Sequence, residues 1–306
     1  MMAAVPLALA MDAIVGDPPD LWRRVGHPVT WMGAAIDSSD RHLNKGSSPR
    51  LRGALALGVL IALVGTIAGI LSNVLSGFAT GFILEALLAS VFLAHRSLHQ
   101  HVAAVARASS LNAARKAVAM IVGRDVSRLD DEGVVRASVE TLSESLSDGV
   151  VAPAFWFALF GLPGIAIYKL VNTADSMVGH RTPRHAEFGW ASARLDDVLN
   201  IMPARLTALA TIAISPSARR RWSEIVTDAQ AHVSPNAGWP EAAFAHALDI
   251  ELGGPRNYGD RSVNGAFLNR GGSAATVVDL RRALRLSTFV GLLQFAVYAV
   301  LAIALF

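Results

Sequence analysis

The sequence contains no cysteine, which excludes disulfide bonds and metal sites built on thiolates. This absence leaves the cellular compartment open. Two signatures of nucleotide and acyl chemistry are also missing, since there is neither a GxxxxGK[ST] phosphate loop nor a GxSxG nucleophile elbow. A nucleotide site in this protein would therefore not be a P-loop.

Charged side chains are scarce, at 17% of the chain against 53% hydrophobic residues, and the mean hydropathy is +0.42. A soluble domain needs more charge than this to cover its surface. The formal net charge of +3, with nine histidines, fits binding at an anionic membrane surface but is too small to indicate a nucleic-acid partner. With no internal repeat and no separable soluble part, residues 1–306 are predicted to form a single membrane-embedded domain.

Long uncharged runs indicate helices that cross a bilayer, which takes roughly 20 apolar residues. Between Gly53 and Ala94 the only charged residue is Glu85, so this stretch predicts two spans with a turn near Ser72 to Gly77. Glu85 itself is either a functional intramembrane acid or part of a hydrogen bond between packed helices. Thr288 to Phe306 carries no charge and predicts a third span.

Two further apolar segments are interrupted. Val150 to Tyr168 is uncharged, but the sequence Gly161-Leu162-Pro163-Gly164 divides it, which predicts either a kinked span or a re-entrant hairpin. Val198 to Ser215 contains Pro203 and Arg205, which favours a shallow or protein-buried helix. The expected fold is all-α: a polytopic integral membrane protein with about four to six membrane helices, some broken or re-entrant, joined by helical polar connections.

Three carboxylates, Glu140, Glu144 and Asp148, follow one another at four-residue spacing, which aligns them along one face of a helix. Like charges at this spacing repel, so a counter-charge is implied. Hard oxygen ligands suit Mg²⁺, which binds through one or two carboxylates together with substrate phosphates. The alternative is a solvated acidic face paired with Arg128 or Arg136.

The densest polar block of the chain runs from Tyr168 to Arg205, between apolar segments. Its carboxylates can hold a metal and its arginines can bind phosphate or carboxylate in bidentate fashion, which together suit a nucleotide or an acid substrate. The alternative is a structural network of salt bridges. The residues concerned are Asn172, Asp175, Ser176, Arg181, Arg184, Arg194, Asp196, Asp197 and Arg205.

The histidines are weaker indications of a catalytic or metal-binding site. His27 follows the rigid turn Gly16-Asp17-Pro18-Pro19 in a polar loop, and a lone histidine is more often structural than catalytic. His95, His99 and His101 begin an amphipathic helix without an HExxH pattern, so they do not predict a metal site.

Four sequence blocks, which occur in family order from residue 16 to about 259, resemble the CobD/CbiB family of adenosylcobinamide-phosphate synthases of cobalamin biosynthesis. They are GDPPDLWRRVGHPV, VGRDVSRLDDEGVVRASVETLSESLSDGVVAPAFW, YKLVNTADSMVGHRTPRHAEFGWASARLDDVLNIMPARLTA and SPNAGWPEAAFAHALDIELGGPRNYG. The family usually reads Glu-Asn-Thr where this chain has Glu144-Ser145-Leu146, which argues against a direct ligand role for Ser145.

The resemblance implies a multi-pass enzyme of the inner (cytoplasmic) membrane, an ATP-dependent acid–amine ligase that also needs Mg²⁺. It would join (R)-1-amino-2-propanol, or its O-phosphate, to a propionate carboxylate of adenosylcobyric acid and release adenosylcobinamide or its phosphate. Its expected partners are these substrates, membrane lipid and other cobalamin-pathway enzymes, with no nucleic acid. The alternative is a non-catalytic corrinoid-binding membrane scaffold, an assembly platform or a transporter. The oligomeric state, including a homo-oligomer, stays open.

Under this resemblance the candidate residues take three roles. The expected metal ligands are Glu140, Glu144, Asp148, Asp196 and Asp197; the catalytic candidates are Asp175, Lys169 and His27; the substrate-binding candidates are Asn172, Arg181, Arg184, Arg194, Arg205 and Asp17.

Sidedness is the least determined feature. Connections 17–52, 95–148 and 216–287 carry most of the Lys and Arg residues, which places them in the cytoplasm. Simple alternation then places the Asn172 to Asp197 block outside. Because ATP is cytosolic, we expect the block on the inner face, returned there by a re-entrant Val150 to Tyr168 segment.

Overall fold

The computed structural model describes residues 2–123, 125–180, 182–258, 261–263 and 265–305; over 256–258 and 261–263 it describes the backbone. Nearly all of the regular structure is helical, which confirms the all-α prediction. The chain divides into two compact units, and the single domain over residues 1–306 stays a prediction. The first unit comprises Met1–Ala94, Ala152–Asn200 and Phe295–Phe306, and the second comprises His95–Val151 and Ile201–Gln294.

The helices of the first half are α1 Ala4–Ile14, α2 Pro19–Val25, α3 Pro28–Leu43, α4 Pro49–Ser76, α5 Gly81–Ser90, α6 His95–Ala106, α7 Leu111–Val118 and α8 Asp131–Leu146. A π-helical turn, Ser147–Val151, joins α8 to α9 Ala152–Val178, and then follow α10 Trp190–Leu199, α11 Ile201–Ile214, α12 Pro216–Arg220, α13 Trp222–Ala231, α14 Gly238–Leu248 and α15 Val277–Ala304.

Within the described residues, four very short strands lie between α14 and α15. β1 Leu252–Gly253 pairs antiparallel with β4 Phe267–Leu268, and β2 Arg256–Tyr258 pairs antiparallel with β3 Arg261–Val263. Their length of two or three residues explains why no strand alternation is visible in the sequence.

Four helical segments of the described chain are long and apolar enough to cross a membrane, and a fifth is added if the bent pair α10 and α11 counts as one broken span. The four are Pro49–Ser76, Gly81–Ala106, Asp131–Val178 and Val277–Ala304. This confirms a multi-pass membrane protein. The first turn lies later than predicted, after Ser76, and the last helix begins well before Thr288, because its arginine-containing first turns are continuous with the apolar part.

Helix α4 shows how an apolar surface faces outward. A stripe of large apolar side chains at intervals of three or four residues is exposed along it: Leu55, Val59, Leu63, Ile67, Ile70 and Val74. On a soluble protein such a continuous patch would promote aggregation, whereas it suits contact with lipid chains. The opposite side of α4 packs on α9 and α3, where Leu57, Leu170 and Ala174 are buried together.

Glu85 has a packing role. Ser72 on α4 donates a hydrogen bond from Oγ to Oε1 of Glu85 on α5, at 2.6 Å. Of the two alternatives for this intramembrane acid, the structure shows the hydrogen bond between packed helices.

Helix α9 is broken at Gly161, whose φ of 63° and ψ of −152° are not helical. An ideal Cβ on Gly164 would lie 2.3 Å from the carbonyl oxygen of Trp156. Eight residues of straight helix would separate these positions by about 12 Å, so the chain turns back sharply here. Pro163 falls in the first turn of the second limb, where a missing N–H costs nothing. This geometry favours the re-entrant alternative over a simple kinked span.

We expect Gly164→Ala to destabilise the protein, because the new methyl group would meet the backbone of Trp156, which cannot move aside as a side chain could. The expected loss is about 1–3 kcal/mol, the usual cost of overpacking, measured by thermal unfolding in detergent. Gly58→Ala on α4 is the matched control, since nothing lies within 4 Å of its Cβ position. Equal melting temperatures for the two variants would contradict the reversal at Gly161.

Candidate functional site

A buried polar network joins α9 to α10 in the first unit. Tyr168 donates a hydrogen bond from Oη to Oδ1 of Asn200 at 2.9 Å, and Asn200 Nδ2 donates to Oδ2 of Asp196 at 2.9 Å. Asn172 Nδ2 approaches the other oxygen, Oδ1 of Asp196, at 3.4 Å. Tyr168 and Asn200 are each only 1% exposed and Asp196 is buried. Both carboxylate oxygens of Asp196 are thereby fixed in place.

The helical repeat explains why these residues meet. Tyr168, Asn172 and Asp175 are spaced by four and three residues and share one face of α9, while Asp196 and Asn200 are spaced by four on α10. The charge of Asp175 acts on Asp196, so the two carboxylates interact. A buried carboxylate costs several kcal/mol unless it is compensated, and its neutral amide partners do not neutralise it. Either a proton on Asp196 or a bound cation would supply that compensation.

Asp197 and Arg194 lie on a more exposed side of α10. Arg194 Nη1 is 3.5 Å from Oδ2 of Asp197, and the Arg194 side chain is largely exposed. Exposed pairs of this kind contribute little to stability.

Arg184 is engaged in a structural ion pair with Asp40 on α3. Asn44 donates from Nδ2 to Oδ1 of the same carboxylate at 2.8 Å, and His185 Nε2 lies 3.5 Å from its other oxygen. Burial would raise the pKa of Asp40, but the hydrogen bonds from Asn44 and Arg184 and the positive charge of Arg184 lower it overall. The salt-bridge alternative is thus shown for Arg184. Arg181 lies outside the described residues.

Asp17 and His27 lie close together near the start of α3. His27 Nδ1 accepts a hydrogen bond from the backbone N–H of Val29 at 3.2 Å and so caps the helix. Its Nε2 is 3.4 Å from Oδ1 of Asp17. This arrangement gives His27 a structural task. Lys169 is half-buried on α9, one residue after Tyr168.

The three acidic residues of the second unit differ in their surroundings. Glu140 is 5% exposed and its Oε1 accepts a hydrogen bond from the backbone N–H of Gly253 at 2.8 Å, whereas Glu144 is exposed. Asp148 lies in the π-helical turn, where the angular step per residue is smaller than in an α-helix. The single solvated face is therefore wrong for Glu140, and Arg136 pairs with Glu132 at 3.6 Å.

Arg205 lies on α11 of the second unit. Its Nη1 donates to the carbonyl oxygen of Ile201 at 2.7 Å and approaches Oδ1 of Asn236 at 3.4 Å. Its guanidinium carbon is 4.8 Å from the centre of the Trp239 ring. Asn236 and Trp239 precede and begin α14, in the sequence SPNAGWPE.

The chain is similar to known proteins over most of its length. The CobD/Cbib protein family model matches residues 5–287. The cobalamin biosynthesis protein CobD of Rhodobacter capsulatus is 50% identical over 291 residues, which cover 93% of this chain and 92% of the relative. The protein of the same name from Brucella suis is 45% identical over 92% of this chain and 91% of its own, and that from a Sinorhizobium species is 44% identical over 100% and 98%.

The chain belongs to the CobD/Cbib family. No solved structure matches it.

Two residues of the buried network, Tyr168 and Asn200, are not among the candidates that the sequence of this CobD/Cbib family member indicates. A signal for both was present, since Asn200 lies four residues after Asp196 and Tyr168 lies four before Asn172. Helical spacing on two facing helices, rather than charge alone, would have found them.

The arrangement of the carboxylates decides whether this CobD/Cbib family member could bind Mg²⁺. Among the side chains that the structure describes, no group of three or more His, Cys, Asp or Glu residues is arranged to hold a metal ion. Mg²⁺ needs only one or two carboxylates when water and substrate phosphates supply the remaining ligands. Asp175 and Asp196 meet that lesser requirement. The metal roles of Glu140, Glu144, Asp148, Asp196 and Asp197 stay predictions.

We expect Tyr168→Phe to lower the free energy of unfolding by about 1–3 kcal/mol, because Oδ1 of Asn200 loses its hydroxyl donor in a buried place. Thermal unfolding in detergent measures the effect. Ser176→Ala, on an exposed part of α9, should leave stability unchanged. A Tyr168→Phe protein as stable as the parent would show that the network does not hold α9 to α10.

Proposed function

We propose that this protein acts in cobalamin biosynthesis, as an ATP-dependent ligase that forms the amide bond between adenosylcobyric acid and 1-amino-2-propanol or its O-phosphate. The observation that carries the proposal is similarity over nearly the whole chain to relatives named for cobalamin biosynthesis. The Asp175 and Asp196 arrangement supports it, because paired carboxylates in a half-buried place suit a metal-bound nucleotide.

Joining a carboxylate to an amine in water is unfavourable, and ATP with Mg²⁺ would supply the activation when bound. Asp175 and Asp196 would hold the metal. Asn172 and Asn200 would keep the Asp196 carboxylate in one orientation, while each of its oxygens retains a lone pair for a ligand. Such preorganised charge is the main contribution that a protein makes to phosphoryl transfer.

The remaining candidates divide by their surroundings. Lys169, half-buried on α9, would bind negative charge of a substrate. Arg194 would do the same from the exposed side of α10, at the cost of a weak pair with Asp197. Glu144 of α8 and Asp148 of the π-helical turn would bind a metal. Glu140 would do so as well, although it already accepts the hydrogen bond from Gly253.

We place the protein in the cytoplasmic membrane.

A ligase assay tests this function and separates it from a transporter, a scaffold or an assembly platform. Detergent-purified protein is supplied with ATP, Mg²⁺, adenosylcobyric acid and aminopropanol phosphate. Wild-type protein should form the amide product. Asp175→Asn and Asp196→Asn should each lower kcat/KM by about 100-fold or more, the range for removing one preorganised charged or polar group.

Two controls make the result decisive. Melting temperatures show that the Asn variants, which keep the size of the side chain, are folded, and Thr227→Ala, at an exposed position of α13, should retain full activity. Amide formation by both Asn variants at the wild-type rate would remove the two carboxylates from the mechanism. No product from wild-type protein under any of these conditions would refute the ligase.

We further expect the loop after α9 to be reachable from the cytoplasm. Thr182 is exposed in this loop and the native chain has no cysteine, so Thr182→Cys gives a single labelling position. A membrane-impermeant thiol reagent should label it in inverted vesicles and not in intact cells. Thr80→Cys, in the turn between the first two spans, should show the reverse. Labelling of Thr182→Cys from outside would refute the cytoplasmic placement.

A further inference from the structure

Arg205 is the only charged residue between Val198 and Ser215. A guanidinium in an apolar helix is costly, so such a residue is retained for a task. Its two protein acceptors, the carbonyl oxygen of Ile201 and Oδ1 of Asn236, are neutral, and both bond the same nitrogen, Nη1. Within the described residues, no carboxylate lies within ion-pair distance of Arg205, and neither Nη2 nor Nε has a protein acceptor.

The guanidinium is nevertheless held in one orientation. The Trp239 ring lies against it, with the guanidinium carbon 4.8 Å from the ring centre, and the ring does not accept hydrogen bonds in the plane of the guanidinium. Two parallel N–H donors on a fixed guanidinium match the oxygens of a phosphate.

The segment that carries Asn236 and Trp239 is itself rigid. Ser234 Oγ accepts hydrogen bonds from the backbone N–H groups of Asn236 and Ala237, at 3.3 and 3.1 Å. Glu241 is 1% exposed and its Oε2 lies 3.7 Å from Nε2 of the buried His232 side chain. These contacts fix the start of α14, and with it the platform beneath Arg205.

We propose that Arg205, positioned by Trp239 and Asn236, binds a phosphate group of a substrate. The inference rests on the proposed ligase function, which offers two sources for that group: the nucleotide and the O-phosphate of the amino alcohol. Arg205 is the residue that touches the phosphate, and Trp239 and Asn236 are positioning residues. Nothing in the sequence motifs alone assigns Trp239 this task.

Direct binding tests the proposal. Calorimetric titration of the full-length protein in detergent is carried out with three probes: aminopropanol O-phosphate, unphosphorylated aminopropanol, and an ATP analogue with an imido bridge between the β- and γ-phosphates. Arg205→Gln should weaken at least one phosphorylated probe by about 10–100-fold, the value of hydrogen bonds to a charged group, and leave the unphosphorylated amine unchanged. Whichever phosphorylated probe is weakened identifies the source of the phosphate.

The positioning role of Trp239 can be measured separately from the binding role of Arg205. Trp239→Leu should raise the Kd of the same probe several-fold, and Trp239→Phe, which keeps an aromatic face, should raise it less. In turnover, Trp239→Leu should raise KM for that substrate and leave kcat close to normal. Arg220→Gln, an exposed arginine of α12 in the same unit, is the matched control and should change neither probe.

Unchanged Kd values for both phosphorylated probes in folded Arg205→Gln protein would overturn the proposal, as would a lower melting temperature without any change in binding. Failure of the two hypotheses can be told apart. A wild-type protein that forms no amide but loses phosphate binding in Arg205→Gln refutes the ligase and leaves the phosphate site. A fully active ligase with no such loss refutes the phosphate site alone.

Discussion

Asp196 is buried between two helices of an apolar protein, and the need to satisfy its charge governs the first unit. Each of its oxygens accepts a hydrogen bond from a side-chain amide, one from Asn172 and one from Asn200, and Asn200 is held in turn by Tyr168. Amides orient a carboxylate without neutralising it, and Asp175 adds a second negative charge nearby. The network fixes the geometry of α9 and α10 and at the same time leaves a demand for positive charge, which a bound cation would meet.

The chain reversal at Gly161 positions the α9 residues of this network. A straight helix through residues 152–178 would be one uniform span, whereas the break produces a second limb that starts at Leu162 with Pro163 in its first turn. The approach of Gly164 to the Trp156 carbonyl requires a residue without a side chain. The face that carries Tyr168, Asn172 and Asp175 belongs to this second limb, so the reversal is what brings that face to α10.

Sequence patterns predicted the features that depend on local spacing and run length. The apolar spans, the broken segment and the polar block follow from composition and from Gly and Pro positions. Contacts between residues far apart in sequence could not be predicted in this way. Asp40 and Arg184 are one such pair, and only the fold shows that Arg184 holds α3. The π-helical turn at Ser147–Val151 was also invisible, because the four-residue spacing of Glu140, Glu144 and Asp148 is read as an uninterrupted α-helix.

Of the four arginines of the polar block, Arg184, Arg194 and Arg205 lie in the described part of the chain, and their neighbours differ. Arg184 is committed to a buried carboxylate, and Arg194 shares an exposed, weak pair with Asp197 that a substrate could replace. Arg205 meets only neutral oxygens and an aromatic face. Arg205 is half-buried and has no acidic partner in the described chain, which supports the proposal that a ligand balances its charge. Asp196 is the corresponding case among the carboxylates, because the side chains that bond it, Asn172 and Asn200, are neutral amides.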